Sequence, residues 1–361
     1  MKHISLTTRG TSVQSSILLG RGIASRAAEL LETTQFSSIA IISDGGAPAT
    51  TNVVMSALSV PENRHLRLPG GELCKSVDTL SRVWEFLSSC HLDRQSLVLA
   101  IGGGAITDLV GFAASTYMRG VAFVAIPTTL LAQVDASIGG KTGINLGGTK
   151  NMVGTIRQPL TVIIDTEALS TLPTRELRSG FAEIVKHGLI ADKSYYKRVT
   201  SRPCTDWSAE ELVEILVKSC QIKCATVEAD ECESGARKSL NFGHTLGHAI
   251  EALALRQGEP MTHGEAVSIG IHAATFLSRA VGRCTTTELE EVVNGLKVVG
   301  LPTSLAVAQA EHELLELITH DKKNIRGESR WTLLNGIGSC VWDIPLTGDL
   351  VRQAIAAVQP S

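Results

Sequence analysis

Between Arg237 and Glu265 the chain gathers side chains that could hold a metal ion beside a polar substrate. The stretch reads R-K-S-L-N-F-G-H-T-L-G-H-A-I-E and, after a short loop, M-T-H-G-E-A-V. His244 and His248 are four residues apart and on a helix would share one face. His263 follows, at the start of the apolar run Ala266 to Val281. Imidazoles at this spacing suit Zn²⁺; a carboxylate from elsewhere would complete three protein ligands and leave one position open for substrate. Spacing alone favours His244 and His248 as the imidazole pair. Paired helical histidines are often ordinary polar or capping residues, but here Arg237, Asn241, His244 and His248 recur every three or four positions. A stripe of that kind is the wrong chemistry for a core-facing side and is costly to bury unless a ligand satisfies it.

A second group of candidates suits anions. In L-V-L-A-I-G-G-G-A-I-T-D-L-V-G-F an apolar strand runs into Gly102, Gly103 and Gly104 and then a helix. Backbone without side chains at such a turn lets a pyrophosphate approach the amides of a helix N-terminus, where the macrodipole favours negative charge. The G-x-G-x-x-G of an ordinary Rossmann dinucleotide domain is missing near the N-terminus. Asp44, just past the strand S-S-I-A-I-I-S-D, either binds an adenosine ribose or simply turns the chain before Gly45 and Gly46. After Ile126, Lys141, Lys150 and Asn151 lie in a stretch rich in glycine and hydroxyls, a composition suited to cradling phosphate, with Arg119 a little upstream. Glu183 and Lys186 are three apart, on one face of a predicted helix, a spacing that ordinarily makes a surface ion pair. Lys223 lies on another helix, predicted from Glu211 to about Glu228. His187, His272 and His320 lack such company. Lys322 and Lys323, in H-D-K-K-N-I-R-G, either reach back to a site or face water.

The elements that must position these residues alternate in the first half. Candidate strands are Ser38 to Ile42, His65 to Leu68, Leu97 to Ile101, Ala122 to Ile126 and Thr161 to Ile164, with helical patterns between them; Val77, Leu80, Trp84 and Leu87 mark one apolar helix face. This alternation predicts a mainly parallel sheet with crossover helices. Beyond about Asp165 the pattern is helical, apart from a strand-like W-T-L-L-N near the end. With 361 residues, two domains are expected, an α/β domain over 1–166 and an all-α domain over 167–361. A net charge of −3 gives no bulk attraction to nucleic acid or to an anionic membrane, so an anionic substrate must be held by local Lys and Arg. No apolar run is long enough to span a bilayer and the N-terminus has no signal-peptide core, which predicts a cytoplasmic protein. The eight cysteines contain no C-x-x-C pair, so reduced, mostly buried thiols are expected.

The chain resembles the 3-dehydroquinate synthase family of sugar phosphate cyclases. The resemblance rests on P-G-G-E-L-C-K, G-G-G-A-I-T-D-L-V-G-F, R-G-V, P-T-T-L-L-A-Q-V-D, G-G-K-T and the K-N of T-K-N-M-V-G, and further on L-P-T-R-E-L-R-S-G-F-A-E-I-V-K, N-F-G-H-T-L-G-H-A-I-E, H-G-E-A-V and D-K-K. It implies a Rossmann-like NAD-binding domain, a helical zinc-holding domain, an active site in the cleft between them, and a homodimer. By motif it makes Glu183, His244 and His263 the ligands of Zn²⁺, with Co²⁺ as the alternative ion, and gives His248 a substrate and proton-transfer role instead of the one its spacing suggests. NAD would be bound by Asp44, Glu72, Lys75, Gly103, Gly104, Asp108, Thr128, Thr129, Leu131, Asp135 and Thr171, with Lys141 and Lys150 near the nicotinamide. Substrate would be met by Lys141, Asn151, Lys186, Lys223, Arg237, Asn241, His248 and Lys323, and by Arg119 from a partner subunit. Departures are P-G-G-E for the family's P-D-G-E, and G-G-K-T-G-I-N-L-G-G-T-K-N for a loop that ordinarily carries a proline. I-I-S-D-G-G-A-P and M-T-H-G-E-A-V look closer to 2-deoxy-scyllo-inosose synthases.

The family reaction converts 3-deoxy-arabino-heptulosonate 7-phosphate to 3-dehydroquinate. The resemblance implies transient oxidation of the C5 alcohol by NAD⁺, β-elimination of phosphate, return of the hydride, ring opening and an intramolecular aldol closure, with no net redox change. An amino-substrate or inosose synthase of a secondary pathway is the alternative within the cyclases. A metal-dependent polyol dehydrogenase, which would have no use for so many phosphate-directed lysines, and a non-catalytic NAD-binding homologue are the alternatives outside them. Retention of Arg237 and Asn241, where the inosose synthases look to carry Gly and Glu, predicts an acid substrate.

Overall fold

Leu97–Gly102 is buried at every position, the pattern of a strand covered on both faces. The computed structural model places it inside such a sheet, as the fifth of seven strands, and describes residues 1–8, 14–147, 149–259, 261–306, 311–319 and 329–360. His320, Lys322 and Lys323 lie outside the described residues. The order is β1 (Lys2–Thr7), β2 (Gln14–Gly20), α1 (Ala27–Leu30), β3 (Ile39–Asp44), α2 (Pro48–Leu58), β4 (His65–Leu68), α3 (Val77–Ser89), β5 (Leu97–Gly102), α4 (Gly104–Thr116), β6 (Ala122–Pro127), β7 (Lys141–Leu146), β8 (Thr149–Ile156) and β9 (Thr161–Asp165), followed by α5 (Thr174–Ala191), α6 (Lys193–Val199), α7 (Ala209–Ala229), α8 (His244–Arg256), α9 (His263–Ala280), α10 (Thr286–Val299), α11 (Glu311–Thr319), β10 (Arg330–Leu334), β11 (Cys340–Pro345) and α12 (Gly348–Ala357).

Seven strands form one sheet in the order β1-β2-β9-β6-β5-β3-β4. β1 is antiparallel to β2, and the other neighbours are parallel. Alternate residues of each strand point to opposite faces, so the sheet has two cores. Ala40, Ile42, Val98 and Ala100 pack with Leu80, Val83 and Leu87 of α3 and Leu109 and Val110 of α4. Ile41, Leu97, Leu99 and Ile101 pack on the other face with Ala27 of α1 and Val54 of α2. This is the doubly wound α/β arrangement that the alternating pattern predicts. Of the apolar face expected for α3, Leu80 and Leu87 are buried and Trp84 packs against the same core; Val83 joins them, whereas Val77 is half exposed.

All five expected strands form. The sequence reading did not include β1, β2, the separate β7–β8 ribbon or β11.

The chain divides into two compact units, Met1–Leu172 with Ser208–Glu231, and Pro173–Trp207 with Cys232–Ser361. The expected cut at 166/167 is therefore corrected, because α7 returns to the first unit. Glu228 accepts the Thr7 amide at 3.0 Å, Cys220 Sγ donates to the Gln133 carbonyl at 3.6 Å, and Lys223 pairs with Asp135 at 2.5 Å. The second unit is helical but not all-α: its core joins Leu246, Ile250 and Leu253 of α8, Ile269 and Leu277 of α9, and Val351 and Ile355 of α12 to Trp331 and Leu333 of the β10–β11 hairpin. Among the described residues, no helix is long and apolar enough to cross a membrane.

Candidate active site and metal centre

Four residues at the start of α9, Thr262 to Glu265, each have a separate structural job. Thr262 caps the helix in a reciprocal capping box with Glu265, which places His263 in the first turn. Glu265 also takes a two-pronged contact from Arg175 of α5, at 2.8 and 2.7 Å. Gly264 brings α9 onto α5: a Cβ there would lie 2.0 Å from the Ser179 carbonyl oxygen, and its amide donates to Ser179 Oγ at 3.0 Å. Glu183 is one turn beyond Ser179 on α5, so this contact sets His263 beside it. Gly270 does the same for α8, since its Cβ would fall 1.9 Å from the Gly243 carbonyl. The imidazoles of His244 and His263 consequently have centroids 5.3 Å apart.

The donor atoms that converge are those of Glu183, His244 and His263, all within 4.8 Å of one another. Glu183 Oε1 lies 3.6 Å from His244 Nε2 and 3.5 Å from His263 Nε2. Glu183 is fully buried, and its other oxygen pairs with Lys186, which is 1% exposed. The outer nitrogens also have partners: His244 Nδ1 meets the Phe242 carbonyl at 3.1 Å and His263 Nδ1 meets Glu251 at 3.5 Å. Burial pulls the His263 pKa down, but the Glu183 and Glu251 carboxylates raise it further, to about 10. The cluster therefore attracts positive charge. One carboxylate with two neutral imidazoles is also a fitting donor set for a catalytic zinc-type ion. His248 is exposed, with its ring edge-on to His244 at 5.1 Å, and is not among the converging donors.

The expected polar stripe is not one helix. Arg237 and Asn241 occupy a 3₁₀ turn, Ala236–Asn241, and Gly243 takes a left-handed conformation before α8 begins. Arg237 is 2% exposed, which argues against its being a surface residue. Asn241 donates its side-chain amide to Glu233, a residue at φ 60°. The turn is tied to the hairpin by the Lys238–Asp343 pair at 2.7 Å and by Thr332, whose hydroxyl donates to the Lys238 carbonyl at 2.9 Å.

In the first unit, the glycine turn forms as the sequence predicts: β5 ends at Gly102 and α4 starts at Gly104, with Gly103 as its N-cap. The Asp44 carboxylate accepts from the amides of Gly46 and, at 3.4 Å, Gly103, so it joins two turns at the strand ends. Lys75 is 3% exposed and pairs with Asp108 at 2.7 Å, with Asn151 and, at 3.8 Å, with Glu72. Asn145 links Glu72 to the Asn151 amide, 2.9 Å in each case. Burial pushes the Asp108 carboxyl up to about 6 against the pull of Lys75. Thr128 bonds back to the Gly102 carbonyl at 2.9 Å, Thr129 caps the Ala132 amide at 3.2 Å, and Leu131 and Asp135 lie in the same connection. Lys223, expected in the helical half, meets Asp135 here. Lys141 and Lys150 lie on β7 and β8, while Arg119, at φ 69°, and Thr171 are exposed. Sequence reasoning missed Glu251, Phe242 and the Arg175–Glu265 contact; the T-x-x-E capping signature was the available signal for the start of α9.

A doubly wound glycine-turn unit with a helical unit is a fold that sugar phosphate cyclases share with glycerol and alcohol dehydrogenases. Two solved structures share it: 2-deoxy-scyllo-inosose synthase complexed with carbaglucose-6-phosphate, NAD⁺ and Co²⁺ (TM-score 0.88, 24% identical, covering 98% of this chain and 99% of that one), and 2-epi-5-epi-valiolone synthase from Streptomyces hygroscopicus with NAD⁺ and Zn²⁺ bound (TM-score 0.81, 25% identical, covering 99% and 98%). Family models described as 3-dehydroquinate synthase N-terminal and 3-dehydroquinate synthase C-terminal match residues 65–179 and 180–324. The 3-dehydroquinate synthases of Pelobacter propionicus and Vibrio atlanticus are 44% and 38% identical, over 76% and 94% of this chain and the same shares of those proteins. The chain belongs to the 3-dehydroquinate synthase family.

Proposed function

We propose that the chain converts 3-deoxy-arabino-heptulosonate 7-phosphate to 3-dehydroquinate and phosphate, with NAD and one divalent ion, Zn²⁺ or Co²⁺. The observation that carries the reading is the Glu183, His244 and His263 cluster together with buried Arg237 and Lys186 in one unit of a family member. Glu183, His244 and His263 would hold the ion; the NAD set is Asp44, Glu72, Lys75, Gly103, Gly104, Asp108, Thr128, Thr129, Leu131, Asp135, Lys141, Lys150 and Thr171. When bound, the ion supplies Lewis acidity toward substrate hydroxyls and NAD a reversible hydride acceptor.

The chain's own groups do the rest. Arg237 grips the substrate carboxylate through paired, charge-assisted hydrogen bonds, a geometry that a planar guanidinium matches. Asn241, held by Glu233, fixes the neighbouring hydroxyls. Lys141, Asn151, Lys186, Lys223 and Lys323 orient the remaining oxygens and balance the charge of the departing phosphate, and Arg119 contributes from a partner subunit. His248, exposed beside the cluster, moves the proton. A homodimer is supported by apolar side chains left exposed along the β7–β8 ribbon, Leu146, Met152, Val153 and Ile156. Eight unpaired cysteines, six of them buried, support a reducing compartment, the cytoplasm.

The test is phosphate release by purified protein with NAD⁺ and Co²⁺, offered the heptulosonate phosphate, its amino analogue and glucose 6-phosphate. The reading expects turnover of the first. Preferred turnover of either of the others overturns it.

A further inference from the structure

Each imidazole of the cluster presents Nε2 to Glu183 and has its Nδ1 occupied, but by unlike groups. His244 Nδ1 faces the neutral Phe242 carbonyl, whereas His263 Nδ1 faces the Glu251 carboxylate. We propose that Glu251 is the positioning residue of the metal centre: it accepts the Nδ1 proton of His263 in a hydrogen bond and so directs the Nε2 lone pair at the ion. The inference rests on the metal reading above.

Three observations carry it. Glu251 lies on the same face of α8 as His244 and His248, seven and three residues on, so one helix supplies a donor and the group that orients another. The Glu251 side chain is 15% exposed, so a carboxylate there is partly desolvated and its hydrogen bond gains strength. The His263 ring lies between two carboxylates, 3.5 Å from each, through its two different nitrogens. An imidazole that gives its Nε2 lone pair to a metal must keep its proton on Nδ1, and an acceptor on that side fixes the tautomer. The same contact raises ligand basicity, and loss of such outer partners costs roughly 10- to 100-fold in metal affinity. Glu251 need not touch substrate or ion for this.

The experiment is a Co²⁺ titration of chelator-treated protein, followed by visible absorption and by competition with a chelator of known affinity. It compares the unmodified chain with Glu251→Ala, Glu251→Met and Glu251→Gln, and measures urea unfolding of each metal-free protein. The inference expects Glu251→Ala and Glu251→Met to weaken Co²⁺ binding about 10- to 100-fold and to shift the visible bands. Glu251→Gln keeps an acceptor and should recover part of both. Equal affinity and spectra in all four proteins, or a fall in metal-free stability alone, would overturn the positioning role while leaving the metal reading standing. No Co²⁺ uptake by the unmodified chain would overturn the metal reading and this inference with it.

Discussion

Gly264→Ala tests how the cluster is assembled. The added Cβ would lie 2.0 Å from the Ser179 carbonyl oxygen and 2.4 Å from its Cα, both backbone atoms of a helix that cannot rotate away. Unbonded carbon and oxygen need about 3 Å, so α9 must retreat from α5 by roughly 1 Å. Overpacking of this kind costs about 1–3 kcal/mol, and losing the hydrogen bond that the Gly264 amide donates to Ser179 Oγ adds ~1 kcal/mol. The better helix propensity of Ala returns up to ~1 kcal/mol, leaving a net loss of about 1–3 kcal/mol. The retreat also moves His263, the preceding residue, beyond the ~0.5 Å within which a site holds its geometry. We expect Co²⁺ binding to weaken and kcat/KM to fall about a hundredfold, the scale of a 1 Å misplacement. Urea unfolding, Co²⁺ titration and kinetics read the three effects. Gly348→Ala at the start of α12, where the nearest atom is 3.8 Å away, is the control and should be neutral or stabilising. Stability of Gly264→Ala within about 0.5 kcal/mol of the unmodified chain, with unchanged Co²⁺ affinity, would refute the reasoning.

Three further outcomes are expected. Arg237→Ala should lower kcat/KM for the heptulosonate phosphate about a hundredfold or more, ~3 kcal/mol of lost charged contact, and unchanged kinetics would remove Arg237 from substrate binding. Glu183→Ala leaves Lys186 buried without this carboxylate, at a cost of about 3–5 kcal/mol; adding Lys186→Met should recover most of the stability but none of the metal, by elemental analysis. Asp108 should titrate near 6 by NMR, and Lys75→Met should move it higher, because the ammonium at 2.7 Å opposes the effect of burial. Since its folded pKa is raised, Asp108 favours folding at low pH, and that contribution declines as pH rises from about 4 to 6. The side chain is one-fifth exposed, so solvent moderates the effect, and a downward shift in Lys75→Met would contradict it.

Where one residue type has one physical meaning, the sequence was readable. The apolar run of β5 and the glycines that close it read as a buried strand entering a tight turn before a helix, and both are present. Spacing failed where tertiary contact decides. His244 and His248 share a helix face, yet the carboxylate sits on α5, and the Gly264–Ser179 and Gly270–Gly243 approaches, with the Arg175–Glu265 contact, bring His263 to it. Those glycines carry no functional signature of their own. Lys223 was read as part of a helical half because its helix is surrounded by others in sequence, whereas its packing partners are Gln133, Asp135 and Thr7. Glu251 escaped notice because an acid on a helix most often means solvent, and its meaning comes from the His263 nitrogen opposite.

The central claim is a phosphate-eliminating cyclase in which NAD is regenerated within each turnover. Its most direct test follows phosphate release and nicotinamide absorbance together, with NAD⁺ well below the heptulosonate phosphate concentration. Phosphate should form in large excess over the NAD⁺ supplied, with no steady build-up of NADH. NADH accumulating one for one with product would contradict the account and mark the chain as a net dehydrogenase.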